Sequence, residues 1–499
     1  MNESQPFNSI NGSGSFSGDL LSEFQFKHAP LLCGVAIATS IAFALNSISS
    51  KNSKRSKSNR SSGENNHRDR IKTRIHGKWY DLTNFEHPGG PVALSLTKGR
   101  DATALFESHH YFTSRNMLMK ILSKYELPLK EAAELKTHDQ RDDGSPYIWK
   151  NIDHDGFSSE LRTLVNEYFS KLAKEKGISK TQATKATFGR WLTVLTLIGL
   201  FFASIPWLVQ GQWAFLIITP VLGWLAICNY WHDSLHFSLS SNWRVNAYLP
   251  YLMPLISSPS MWYHQHVIGH HVYTNISNKD PDLAHAPQLM REHESIRWKK
   301  SHLNQKCLSR VLLVWSIAVG LGLQILNDVR ALKKLSYNNV VAYDKPSKMQ
   351  MAAHIAGRII YILFAFAWPF ALFPAWKAMI WATVPNVVFS LCFMINTQIN
   401  HLVGHCAHAF DSNFFKHQII TAQNFGRDSA FCFYFSGGLN YQIEHHLFPT
   451  VNHCHLPALS PGVKKICKKY GVPYNSVSGY RQAIEEHFAH TAAMSVKPE

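Results

Sequence analysis

The stretch WAFLIITPVLGWLAICNYWHDSLH, residues 213–236, is an apolar run, uncharged through Trp231, that leads directly into two histidines four positions apart. A run of about 18 or more such residues is long enough to cross the hydrocarbon core of a bilayer as a helix. Residues 191–209, 213–231, 359–376 and 378–396 meet that rule. They pair into two hairpins, with Gln210-Gly211-Gln212 as the first turn and Lys377 alone between the arms of the second. Residues 311–326 fall just short, and 248–258, broken by Pro250 and Pro254, are shorter still. The expected fold is a membrane all-α domain: four transmembrane helices in two hairpins, interfacial helices and a cytosolic cap.

Parity supports that count. Basic clusters at Arg297, Lys299, Lys300 and at Arg330, Lys333, Lys334 mark the loop between the hairpins as cytosolic by the positive-inside bias. A crossing at 311–326 would put the last histidines of the chain on the far side from the first. That segment is therefore expected in the interface or packed as a half-buried helix.

Working outward from His232 and His236, two more groups appear: His264-Gln265-His266-Val267-Ile268-Gly269-His270-His271 and Asn440-Tyr441-Gln442-Ile443-Glu444-His445-His446. Histidines four apart share a helix face, with Cβ atoms about 5–6 Å apart, and can bind one metal jointly. Adjacent histidines point about 100° apart, so a His-His pair tends to serve two ions. H-x-x-x-H alone is weak, since an interfacial helix with two incidental histidines has an equal claim. Three groups that parity places on one membrane face can hold two ions between them. His401, after the last crossing, is a further candidate, and His405 reads as a polar helix-end residue. Asp233, Asp280, Asp282 and Glu444 are candidates to orient ligating imidazoles; solvated surface carboxylates are an equal reading for Asp280 and Asp282. Imidazole ligation suits zinc, copper, iron or nickel and does not choose among them.

A soluble unit spans 71–147, containing Phe85-Glu86-His87-Pro88-Gly89-Gly90, then Asp101-Ala102-Thr103, Phe106 and His110. The glycines permit a tight turn and close approach to a flat ligand, and a second histidine at His109 or His110 can face His87 across it. An iron with both axial positions filled by imidazole shuttles electrons rather than binding oxygen. This unit resembles cytochrome b5, an α+β fold holding haem b. The resemblance implies His87 and His110 as ligands, the spacing in desaturase-fused members favouring His110 over His109. An electron donor is useless to zinc, so a fused haem unit argues that the histidine-held metal is iron.

The boxes H-x-x-x-H, H-x-x-x-H-H and Q-x-x-H-H resemble those of membrane fatty-acyl desaturases. With Gln442 in the place of a histidine and an amino-terminal b5 unit, the chain is similar to the front-end acyl-lipid subgroup. The wording at 258–263 and 437–446 looks closest to algal delta-11 members acting on saturated sixteen-carbon chains. The resemblance implies a catalytic set of His232, His236, His266, His270, His271, His445 and His446, with His401 and Gln442 added as metal ligands, and His264 outside the usual box. It also implies two iron ions, O2, a cytochrome b5 reductase, a fatty-acyl lipid or acyl-CoA substrate, and an endoplasmic reticulum membrane rather than a plastid one. Rival readings are a front-end delta-5, delta-6 or delta-8 polyunsaturated desaturase, a sphingoid-base desaturase, a lipid hydroxylase and a membrane b5 electron carrier.

The rest of the 499 residues divides into an unstructured 1–28, an apolar anchor or signal at 29–48, a basic linker at 49–70, a connector at 148–190, the membrane domain at 191–460 and a tail at 461–499. The net charge of +17 is partly concentrated at Lys51, Lys54, Arg55, Lys57 and Arg60, beside the apolar segment, which fits a membrane flank and argues against a nucleic-acid partner. The eight cysteines form no C-x-x-C pair and read as buried free thiols.

Overall fold

The computed structural model describes residues 70–138, 149, 155–284 and 286–498. The expectations for 1–28, 29–48 and 49–69 lie outside the described residues.

The soluble unit opens on an antiparallel hairpin, Lys72–Ile75 with Lys78–Asp81. His76 and Gly77 turn it, both at positive φ (48° and 79°), which matches the twist of the flanking strands. Short helices Gly90–Ser95, Thr103–His109 and Arg115–Leu122 follow. Ile75, Tyr80, Leu82, Leu94, Phe106 and Leu122 form their core. Glu107 is buried in this unit and binds His76, Arg115 and Arg162; the last lies on the connector helix Gly156–Lys176. Gly90, at φ 90°, packs so close to Trp243 of the membrane domain that a Cβ there would sit 2.5 Å from the indole. The haem-type unit is thus seated on the catalytic half.

Four helices are long and apolar enough to cross a membrane among the described residues: Phe188–Val209, Phe215–Leu235, Lys348–Leu372 and Ala375–Gln398. The first and third have only 28% and 22% of their apolar window buried, against 67% for the second. The first and third therefore face lipid, through side chains such as Leu195, Leu200, Ile359 and Leu363, and the second is the central packing helix. Two expectations shift. The second hairpin turns at Phe373-Pro374, because proline lacks the N–H to continue a helix and is tolerated at its start. Lys377 consequently lies inside the fourth helix, its ammonium 4.3 and 4.8 Å from the ring centroids of Phe373 and Trp381. The segment around 311–326 forms two helices, Leu308–Ala318 and Leu323–Lys334, bent by 58°. Gly320 lies between them, where a side chain would run into the Asn386 carbonyl.

The cap after the last crossing packs Gln442–Leu447 and Leu456–Tyr470 against the connector helix through Phe157, Leu161, Val165, Leu447 and Val463. The seven described cysteines are all free; Cys307 is exposed and Cys392 and Cys454 are half-buried, against the expectation of buried thiols throughout.

Candidate metal centre and haem site

Two of the histidine groups grow from π-helical turns. Ile227–Trp231 leads into His232, and Tyr263–His270 carries the second group. Such turns are rare and concentrate at functional sites. A wider turn brings residues five apart into register, and His266 and His271 accordingly meet with their Nε2 atoms 3.2 Å apart.

The third group sits on Gln442–Leu447, whose two histidines splay as adjacent helical residues must, their rings at 90°. His445 joins His232, His236 and His266, while His446 joins His270 and His401; each set converges tightly enough to hold an ion. His271 lies between the sets, stacked on His446 at 4.1 Å and edge-on to His236 at 4.5 Å.

The outer contacts aim these rings. His270 Nδ1 is 3.0 Å from Asp280, whose carboxylate also takes the backbone N–H groups of Asn275 and Asp282. His401 Nδ1 donates to the Thr421 carbonyl, His446 Nδ1 to Gln418, and His445 Nδ1 to His453 Nε2 at 3.0 Å. With Nδ1 committed, the Nε2 lone pairs of His445 and His446 are left for a metal, while His401 Nε2 faces the Gln442 amide. Buried nitrogens without a hydrogen-bond partner, including His445 Nε2, His446 Nε2 and both nitrogens of His236, are what a bound cation would satisfy. Burial, reinforced by the neighbouring histidines, pushes His271, His445 and His446 well below the ordinary imidazole range, so they stand neutral with lone pairs free. Burial opposes the charged form of His270 as well, but the Asp280 carboxylate overcomes it and raises that group.

Several expected residues fall elsewhere. Gln442, expected as a ligand, stands against the second set, its amide nitrogen 2.9 Å from His401 Nε2 and its carbonyl oxygen accepting from Asn400. His264 donates to the Ser260 carbonyl and packs on Tyr343, and His405 is exposed. Glu444, pushed up to about 7 by burial, holds Tyr474 and Asn424 rather than an imidazole. Asp282 receives the Gln265 amide and stands 3.7 Å from His270. Asp233 is anchored by Arg190 at 3.0 Å and by Asn452, and stands 3.1 Å from His453 Nδ1. Arg190, Gln418 and His453 were not found by sequence reading. The charge of Arg190 in the first turn of an otherwise apolar helix, and the repeat His453-Cys454-His455 just past the third box, were the available signals.

In the soluble unit His87 faces His110, ring centroids 5.9 Å apart. His110 Nδ1 donates to the Phe106 carbonyl, which leaves its Nε2 lone pair for a ligand, and His87 Nδ1 stands 3.0 Å from the Gly89 nitrogen. Burial, with the neighbouring His110, depresses His87 to about 4, keeping it neutral. A Cβ on Gly89 would lie 2.9 Å from the His87 ring. His109 turns instead to the Ser108 hydroxyl. Two neutral, opposed imidazoles are the donor set a six-coordinate haem requires.

Beside both metal sets lies a cavity of about 1070 Å³ including its mouth. His232, His266, His270 and His401 reach its wall, together with apolar side chains such as Trp224, Ile227, Trp262 and Phe393 and polar ones such as Gln324 and Asn396. Residues 211–478, more than half of the chain, match the fatty acid desaturase family. The chain belongs to that family. Residues 59–127 match the cytochrome b5-like haem/steroid-binding domain, so this desaturase carries its own b5 unit, which binds haem, and its histidine sets fit a di-iron centre. The acyl-lipid (8-3)-desaturase of Mortierella alpina is 27% identical over 446 residues, covering 85% of this chain and 94% of that one. The probable Delta(5) fatty acid desaturase C of Dictyostelium discoideum is 28% identical over 434 residues, covering 83% and 89%. The acyl-lipid omega-13 desaturase of Chlamydomonas reinhardtii is 26% identical over 434 residues, covering 80% and 88%.

Proposed function

We propose that this desaturase inserts a cis double bond into the acyl chain of a membrane lipid, using O2 and electrons passed through its own b5 domain. The observation that supports this reading is the largely apolar cavity whose wall carries histidines of both sets. His232, His236, His266 and His445 hold one iron, and His270, His401 and His446 the other, with His271 within reach of both. His87 and His110 hold the haem. When bound, the iron pair supplies the oxidising power to break unactivated C–H bonds. The chain's own residues do the rest: Trp224, Trp262 and Phe393 exclude water and confine the methylenes, and Asp280, Gln418 and His453 fix the imidazoles. Two hydrogens leave neighbouring methylenes; with two electrons and two protons, O2 ends as two waters. A cytochrome b5 reductase supplies the electrons at the endoplasmic reticulum membrane, and the basic loops support a cytosolic side for both domains.

The likeness to the Mortierella (8-3)-desaturase and the Dictyostelium Delta(5) desaturase favours insertion between an existing double bond and the carboxyl end. Expression in a yeast of simple lipid composition, fed polyunsaturated acids, with mass spectrometry locating new double bonds, tests this. A new bond on the carboxyl side is expected. A bond at carbon 11 of saturated sixteen-carbon chains, the outcome that the wording of the boxes suggests, would overturn the regiochemistry alone. Hydroxylated lipid without alkene would overturn the reaction.

A further inference from the structure

We propose that Tyr111 carries the electron path from the haem to the metal centre, through the hydrogen bond its hydroxyl makes to the Leu447 carbonyl. The inference rests on the reading of the b5 domain as this chain's own electron donor. Electron tunnelling decays far more steeply across a gap between atoms than along covalent bonds or hydrogen bonds. A path with few gaps therefore dominates.

Tyr111 follows His110 directly in sequence. Its side chain crosses from the b5 domain into the cap, where the phenol donates to Leu447 O at 2.6 Å. Leu447 is joined by a peptide bond to His446, of the set that also contains His270 and His401. From a haem-facing imidazole to a metal-facing imidazole, every link is covalent except that one hydrogen bond. Phe448 and Phe415 pack on the Tyr111 ring at 5.0 and 5.9 Å, holding it in place, and the residue is only 6% exposed. Burial raises the phenol well above its ordinary value, so it stays protonated and remains a donor.

Other contacts between the b5 domain and the rest of the chain lead elsewhere. Glu107 reaches Arg162 on the connector helix, Arg100 reaches the Ala342 carbonyl, and Gly90 meets Trp243. None of these partners is next in sequence to a histidine of either set. A competing route starts at His109, which is close enough to His236 to depress it electrostatically but is joined to it by no hydrogen bond among those described. In the step itself one electron passes from ferrous haem, which becomes ferric, to a ferric ion held by His446, which becomes ferrous. The haem electron comes from a flavin-type reductase, or from dithionite in the test.

The experiment uses the full chain in detergent, its haem reduced with stoichiometric dithionite, and follows haem reoxidation by stopped-flow absorbance. Metal-depleted chain supplies the baseline, and haem and non-haem iron are measured on each sample so that rates refer to loaded protein. Wild type should show a fast metal-dependent phase. Tyr111→Phe keeps the ring and its packing but removes the hydrogen bond, and should slow that phase several-fold with an unchanged haem spectrum. Tyr111→Leu should slow it at least as much, and His109→Gln should leave it unchanged. A wild-type rate in loaded Tyr111→Phe overturns the path, as does a slowing confined to His109→Gln. If wild type itself lacks a metal-dependent phase, the b5 domain is not the donor and the underlying reading fails with the path.

Discussion

Replacing His453 with phenylalanine should loosen one iron without disturbing the haem. His453 Nδ1 donates to the Gly437 carbonyl at 2.8 Å, so its Nε2 is an acceptor, and it receives the His445 Nδ1–H at 3.0 Å. That bond fixes the tautomer in which His445 Nε2, a buried nitrogen with no other partner, is free for metal. Phenylalanine fills similar volume and strands the His445 donor, and an unmade buried hydrogen bond costs about 1–3 kcal/mol. Removal of such an outer partner typically lowers metal affinity by about 10–100-fold, or roughly 1.4–2.8 kcal/mol, and the two figures coincide. Asp233 keeps Arg190 and Asn452, so the surrounding structure should survive. The assay is non-haem iron by colorimetric chelation and haem by Soret absorbance on the same sample across a chelator series. Iron should be lost at chelator concentrations about 10–100-fold lower, with the haem-to-protein ratio unchanged. His453→Gln, whose amide oxygen can accept from His445, should recover part of the loss. Wild-type iron retention in His453→Phe would refute the argument.

Asp280→Ala removes the carboxylate that takes His270 Nδ1 and two backbone N–H groups, and should weaken iron retention roughly 10–100-fold in the same chelator series. His87→Ala should abolish the Soret band while leaving non-haem iron in place, and loss of both together would count against two separate sites. Gly90→Ala meets both a left-handed backbone and the Trp243 ring, and should lower the melting midpoint of the haem unit by an amount worth about 1 kcal/mol or more. An unchanged midpoint would show that the two halves do not meet there. Burial alone would raise Glu107, but His76, Arg162 and Arg115 hold it at about 2 against an ordinary 4.5. Because the folded value is depressed, its contribution of about 3 kcal/mol is present above pH 4.5 and lost as pH falls toward 2. Acid unfolding followed at the Soret band should therefore be steeper in wild type than in Glu107→Gln. Parallel profiles would exclude that ion cluster as the cause.

The sequence by itself determined the chemistry and the membrane architecture. Apolar runs of crossing length need no partner to be recognised, because backbone hydrogen bonds in lipid must close within the helix. His87 before two glycines and the three histidine boxes are local patterns, readable from spacing. Spacing along one element fixes only angles about that element's own axis, so it could split His445 from His446 but not say which histidines each would join. That depended on how the boxes rotate and pack against one another, including a π-helical second box, where residues five apart come together. Gln442 read as a candidate ligand by its place in the box, and the fold sets its amide against His401 and Asn400. The anchoring of His445 by His453 and the reach of Tyr111 to Leu447 are contacts between separate elements. Only tertiary packing decides such contacts, because a hydrogen bond depends on position in space to within a few tenths of an ångström, and no spacing in the chain encodes that.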